Sequence, residues 1–161
     1  KKNIGLPFYE ILKRLGIKKN HKKIFLDYNK FSKKKINLIK IYPNIKITLK
    51  SLKKKFILGV ITSKNRSRTI NILKRFKLKF DLVLTPEDLN KGKPYPDAAI
   101  KLKKKFKVKS SEIIYIGDTL KDLKFSKNSK INFLFANWGY GSVKYKKVKK
   151  IKKIKDIYKF L

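Results

Sequence analysis

Asp118, Thr119 and Asp122 follow directly on the apolar run Ile113-Ile114-Tyr115-Ile116 and on Gly117. The run has the length of a buried parallel strand. A medium of low dielectric disfavours a charged carboxylate, so acids at the end of such a strand face a cleft, a cation or a metal rather than the core. If Thr119 opens a helix, Asp118 lies at its N-terminus and Asp122 on its first turn, and both carboxylates can address one spot above the strand ends. Mg²⁺ suits that spot, because this hard cation takes one or two carboxylates and completes its shell with water and phosphate oxygens. The simpler alternative is that Asp118 caps the helix.

Two further polar groups stand at corresponding places. Thr62-Ser63 ends the run Phe56-Ile57-Leu58-Gly59-Val60-Ile61, which the pattern predicts as a buried strand. Lys93 sits in Gly92-Lys93-Pro94-Tyr95-Pro96-Asp97, where two prolines fix the local backbone and so aim a flexible side chain. A hydroxyl with nearby backbone N–H groups can hold phosphoryl oxygens, a lysine can neutralise developing negative charge, and carboxylates can hold Mg²⁺. These are the parts phosphoryl transfer needs, since its catalysis is mostly positioning and electrostatics.

The elements that must position these groups follow from the apolar spacing. Phe8, Ile11, Leu12 and Leu15 mark a first helix, opened by Leu6-Pro7 and stopped by Gly16. A second helical region carries Ile24, Phe25 and Tyr28, with a break expected near Ser32 before Ile36 and Ile39. His21, the only histidine, has no ligand partner at metal spacing and reads as a surface residue. Tyr42-Pro43-Asn44 reads as a boundary, with Asn44 as a helix cap. Beyond it, helices at Ile45–Leu52, Ile70–Phe76 and Ala99–Phe106 alternate with strands at Phe56–Ile61, Asp81–Leu84, Ile113–Ile116 and Ile131–Phe135. Such alternation predicts a Rossmann-like α/β fold, a parallel sheet with helices on both faces, whose ligands bind at the carboxyl ends of the strands. The tail from Val143 to Leu161 reads as a terminal helix through Ile151, Ile154, Ile157 and Tyr158, with a short strand near Val148 or a membrane-surface helix as alternatives.

The 161 residues, 42% of them hydrophobic, are enough for one sizeable core and a small appendage. No apolar run approaches the length of a membrane span, and the absence of Cys excludes disulfide and thiol chemistry and fits a cytoplasmic protein. The formal net charge of +36 is extreme, but the lysines are spread over every segment instead of forming one arm or stripe. This distribution predicts loose, salt-sensitive attraction to polyanions and no specific nucleic-acid partner.

In order and spacing, Val60-Ile61-Thr62-Ser63, Lys93-Pro94-Tyr95-Pro96-Asp97 and Gly117-Asp118-Thr119-Leu120-Lys121-Asp122 resemble the second, third and fourth motifs of the haloacid dehalogenase superfamily. Within it the chain is similar to the phosphoglycolate-phosphatase-like branch with a helical cap, and Ala136-Asn137-Trp138-Gly139-Tyr140-Gly141 is similar to the loop after the next strand. The resemblance implies a Mg²⁺-dependent phosphatase of small phosphorylated metabolites. Thr62 and Ser63 would contact the phosphoryl group, Lys93 would steady nucleophile and phosphate, Asp118 would bind Mg²⁺, and Asp122 would support that metal site. Residues 1–42 would be part of the cap and 43–161 the core. The first motif of that superfamily, Asp-x-Asp, supplies the nucleophile, and no Asp here is followed two positions later by another. The expectation is therefore a fragment that lacks the central strand and is inactive alone. The alternative is a catalytically dead pseudoenzyme or a basic nucleic-acid-binding module.

Overall fold

A computed structural model describes residues 6–141 and 147–161. Its elements alternate as expected: α1 (Phe8–Arg14), α2 (His21–Lys34), α3 (Ile45–Leu52), β1 (Gly59–Ile61), α4 (Arg66–Arg75), β2 (Leu82–Leu84), α5 (Asp97–Phe106), β3 (Ile114–Gly117), α6 (Leu120–Ser129), β4 (Asn132–Ala136) and β5 (Lys150–Ile151). The strands form two parallel ladders, β1 with β2 and β3 with β4 with β5. No strand among the described residues is hydrogen-bonded between β1 and β3.

Two cores nevertheless join the ladders into one Rossmann-like body. On one face, Leu52 of α3 packs with Leu134, Ile151 and Ile157, and Leu58, Ile114 and Ile116 close around them. On the other, Leu84, Ala98, Ala99 and Phe125 pack with Ile61, Leu82 and Tyr115. Period-two alternation explains the split, since Ile114 and Ile116 point to one layer and Tyr115 between them to the other. Burying Phe125 and Leu134 contributes roughly 1.5–3 kcal/mol each.

Several boundaries differ from those the sequence predicts. The run at Phe56–Ile61 pairs only over its last three residues, and Phe56 and Ile57 are 43% and 54% exposed. Its start still belongs to the end of α3, because the amides of Lys55 and Phe56 both donate to the Leu52 carbonyl. The second helix continues through Ser32 to Lys34, and a short 3₁₀ turn, Ile36–Leu38, follows it. Asn44 precedes α3 in the left-handed region and makes no side-chain cap. In the tail a short strand and a 3₁₀ turn, Ile154–Phe160, replace the expected helix, and Ile151, Ile154 and Ile157 are buried in the core instead of facing a membrane. The expected start of that tail, Val143, lies outside the described residues.

The N-terminal helices lie across the top of this body. Asn29 accepts from Asn65 Nδ2 at 2.8 Å, Tyr28 Oη accepts from Arg68 Nη1 at 2.7 Å, and Asn37 Oδ1 accepts from Arg75 at 2.6 Å, tying α2 and the turn after it to α4. At the other side, Lys121 of α6 donates to Glu10 of α1 at 3.0 Å.

Candidate active site

A cleft of about 950 Å³ opens at the carboxyl ends of β1 and β3, beneath α1 and α2. Thr62, Ser63, Lys93, Asp118 and Asp122 all line it. The structure thus brings these five residues to one cleft.

Local folding explains each position. The Thr62 amide donates to the Leu84 carbonyl, and its Oγ1 accepts from the Lys64 amide at 3.1 Å, a turn that ends β1 and leads into α4. Asn65 then caps α4 by accepting from the Arg68 amide. Lys93 is held from two sides: Asn128 Nδ2 donates to the Pro94 carbonyl at 2.9 Å, and Asp97 Oδ2 accepts from the Lys91 amide at 2.9 Å. Its side chain, 12% exposed, donates to Asp122 Oδ1 at 2.6 Å and to Tyr115 Oη at 2.9 Å.

Thr119, not Asp118, caps α6. Its hydroxyl accepts from the Asp122 amide while Asp122 Oδ2 accepts from the Thr119 amide at 3.0 Å and from its hydroxyl, a reciprocal capping box. The other oxygen of Asp122 accepts from Lys93 and from the Tyr115 hydroxyl at 2.7 Å. Burial alone would raise the Asp122 carboxyl; the Lys93 ammonium and the hydrogen bonds from Lys93, Thr119 and Tyr115 outweigh it and hold the acid below the ordinary carboxylate range. Burial, then the Asp122 charge, pushes the Tyr115 hydroxyl well up, so it stays protonated and donates.

Asp118 is held differently. Its Oδ2 accepts from the Tyr140 amide at 2.8 Å, and no hydrogen bond reaches Oδ1 among the described residues. Glycines press against both acids. A Cβ on Gly117 would stand 2.3 Å from Asp122 Cβ, one on Gly139 2.2 Å from Asp118 Cβ, and one on Gly141 2.1 Å from the Asp118 carbonyl oxygen. Only glycine allows that approach. Among the described residues no three His, Cys, Asp or Glu side chains gather as a metal cluster. The Asp118 oxygen without a hydrogen bond is the kind of donor Mg²⁺ takes alongside water and phosphate oxygens.

Tyr115, Lys64 and Arg68 also line the cleft and are not evident from the sequence, whereas Tyr140 belongs to the loop at 136–141 already singled out. Tyr115 lies inside an apolar strand pattern, and Lys64 and Arg68 are two cations among 46. The short spacing to the Thr62 turn is the one signal that marks Lys64 and Arg68.

A parallel α/β sheet with its polar groups gathered in a cleft at the strand ends defines a Rossmann-like protein. The sequence of residues 1–136 matches the haloacid dehalogenase-like hydrolases, and the chain belongs to that family. It is 31% identical over 107 residues to the phosphoglycolate phosphatase of Mannheimia succiniciproducens, covering 65% of this chain and 48% of that protein. It is also 31% identical over 140 residues to the pyrophosphatase PpaX of Bacillus velezensis, covering 84% and 64%. Among solved structures it superposes on a HAD phosphatase from Thermococcus onnurineus (TM-score 0.75, 22% identity, 96% of this chain and 70% of that one). A predicted phosphoglycolate phosphatase from Haemophilus somnus matches at TM-score 0.82 and 23% identity, over 95% and 73%. The chain spans about half the length of the first curated relatives it matches. No helix among the described residues is long and apolar enough to cross a membrane.

Proposed function

We propose that this chain is the larger part of a Mg²⁺-dependent phosphatase of small phosphomonoesters, phosphoglycolate-phosphatase-like, working in the cytoplasm. The observation that carries the proposal is the convergence of Thr62, Ser63, Lys93 and Asp118 on one cleft, with Lys93 ion-paired and aimed. In this reading residues 1–42 are part of a cap and residues 43–161 the core.

The Thr62 and Ser63 hydroxyls and their turn bind phosphoryl oxygens, and the Lys93 ammonium neutralises charge that develops on them. Asp118 would hold Mg²⁺ through its available oxygen, and the ion supplies charge neutralisation for the phosphoryl group when bound. Asp122 supports the site by holding Lys93 in place through their ion pair. The covalent step needs a carboxylate nucleophile that the chain does not carry as an Asp-x-Asp pair. The open edges of β1 and β3 are where an added strand bearing that pair would lie, so the chain alone is inactive.

A malachite-green assay with a panel of phosphate esters tests this. The chain joined at its N-terminus to an Asp-x-Asp strand should release phosphate only with Mg²⁺, Asp118→Asn should abolish release, and the chain alone should give none. Release that ignores Mg²⁺ or survives Asp118→Asn would refute the proposal.

A further inference from the structure

We infer that Lys64 and Arg68 form a second anion subsite in this cleft, selecting phosphomonoesters whose alcohol portion carries another anionic group. The inference rests on the phosphatase reading above and adds what lies beyond the phosphoryl end. Both cations line the same cleft as Thr62 and Asp118. Neither has a carboxylate within salt-bridge distance among the described residues, whereas Lys93 is already committed to Asp122. Glu87 is the other acid at this wall, and its Oε1 accepts from the Arg66 amide at 3.0 Å.

Arg68 is fixed rather than free. Its guanidinium carbon lies 4.5 Å from the centre of the Tyr28 ring and its Nη1 donates to the Tyr28 hydroxyl at 2.7 Å, which leaves the rest of its donor fork for a ligand. Tyr28 is itself stacked on Phe8, ring centres 4.9 Å apart, so α1 and α2 set the direction of the guanidinium. Holding such a fork in advance lowers the ordering cost of binding.

Lys64 lines the cleft and is solvent-exposed there. Partial desolvation by the cleft walls lowers its pKa, Arg68 lowers it further, Asp118 draws it up and Lys93 lowers it again. An anion arriving beside two mutually repelling cations relieves that repulsion, which favours a charged substituent over a neutral one. Carboxylate and phosphate share this chemistry, and the two arms of the test below separate them.

The test is calorimetric titration of the 161-residue chain, in Mg²⁺ and physiological salt, with methyl phosphate, 2-phosphoglycolate and pyrophosphate. The two-anion ligands should bind about tenfold or more tighter than methyl phosphate, as expected for one charge-assisted contact. Arg68→Gln should collapse that margin to within about twofold while leaving methyl phosphate unchanged, Lys64→Gln should cut the margin by more than it weakens methyl phosphate, and Tyr28→Phe should weaken the margin in part. Lys155→Gln, with the same loss of charge away from the cleft, should leave it intact. A preference for 2-phosphoglycolate alone assigns a carboxylate, and one for pyrophosphate alone assigns a second phosphate. A margin missing in the wild-type chain, or unmoved in both variants, overturns the subsite and leaves the phosphatase reading standing. If methyl phosphate fails to bind at all, the phosphatase reading falls and the subsite with it.

Discussion

At Asp122, burial and ion pairing pull in opposite directions, and pairing wins. Its carboxyl is held below the ordinary value of 3.8 in the folded chain, so the pairing stabilises the fold in full above that value and is lost as pH falls through the folded pKa. Thermal melts of wild type and Asp122→Asn should therefore differ most above about pH 5 and converge in acid; at neutral pH, breaking this pair should cost about 3–5 kcal/mol. Gly139→Ala makes a second prediction at this scale. Its methyl would drive into Asp118, so Mn²⁺ affinity measured by electron paramagnetic resonance should fall about tenfold or more even though no ligand atom is removed. Thr62, Lys93 and Asp118 were legible in the sequence because each follows a strand within a short distinctive motif. The way Asp122 is held was not. It depends on Thr119 taking the cap and on Tyr115 reaching across from the strand, and neither is encoded in spacing alone.

The order of helices and strands was readable from apolar periodicity, and the parallel α/β class followed from it. Where boundaries moved, hydrogen bonds beyond the local pattern moved them. Phe56 looks like strand by composition yet donates to the last turn of α3, and α2 runs past Ser32 because nothing there interrupts its backbone ladder. Among the described residues β1 and β3 lie in separate ladders, with no strand hydrogen-bonded between them. An edge of that kind presents unpaired N–H and C=O groups and accepts another strand readily. Adding a peptide with an Asp-x-Asp strand should slow amide hydrogen exchange in β1 and β3 by about an order of magnitude or more while leaving β4 and β5 unchanged. Uniform exchange across all five strands would show that the gap is not a docking position.

Across the whole molecule the charge of +36 sets the background against which any specific anion is read. Its lysines are dispersed, so RNA and DNA should bind without preference for sequence, and the affinity should collapse between about 50 and 200 mM salt. A sequence-dependent affinity that survives high salt would instead favour a nucleic-acid-binding module. The cleft differs from that background in having its charges fixed by partners: Lys93 by Asp122, Arg68 by Tyr28, Asp118 by the Tyr140 amide. Backbone NMR shifts on adding inorganic phosphate with Mg²⁺ at physiological salt separate the two directly. Shifts concentrated at Thr62–Asn65, Lys93, Gly117–Asp122 and Tyr140 are the predicted result; shifts scattered over the surface lysines, with the cleft no different from the rest, would contradict it.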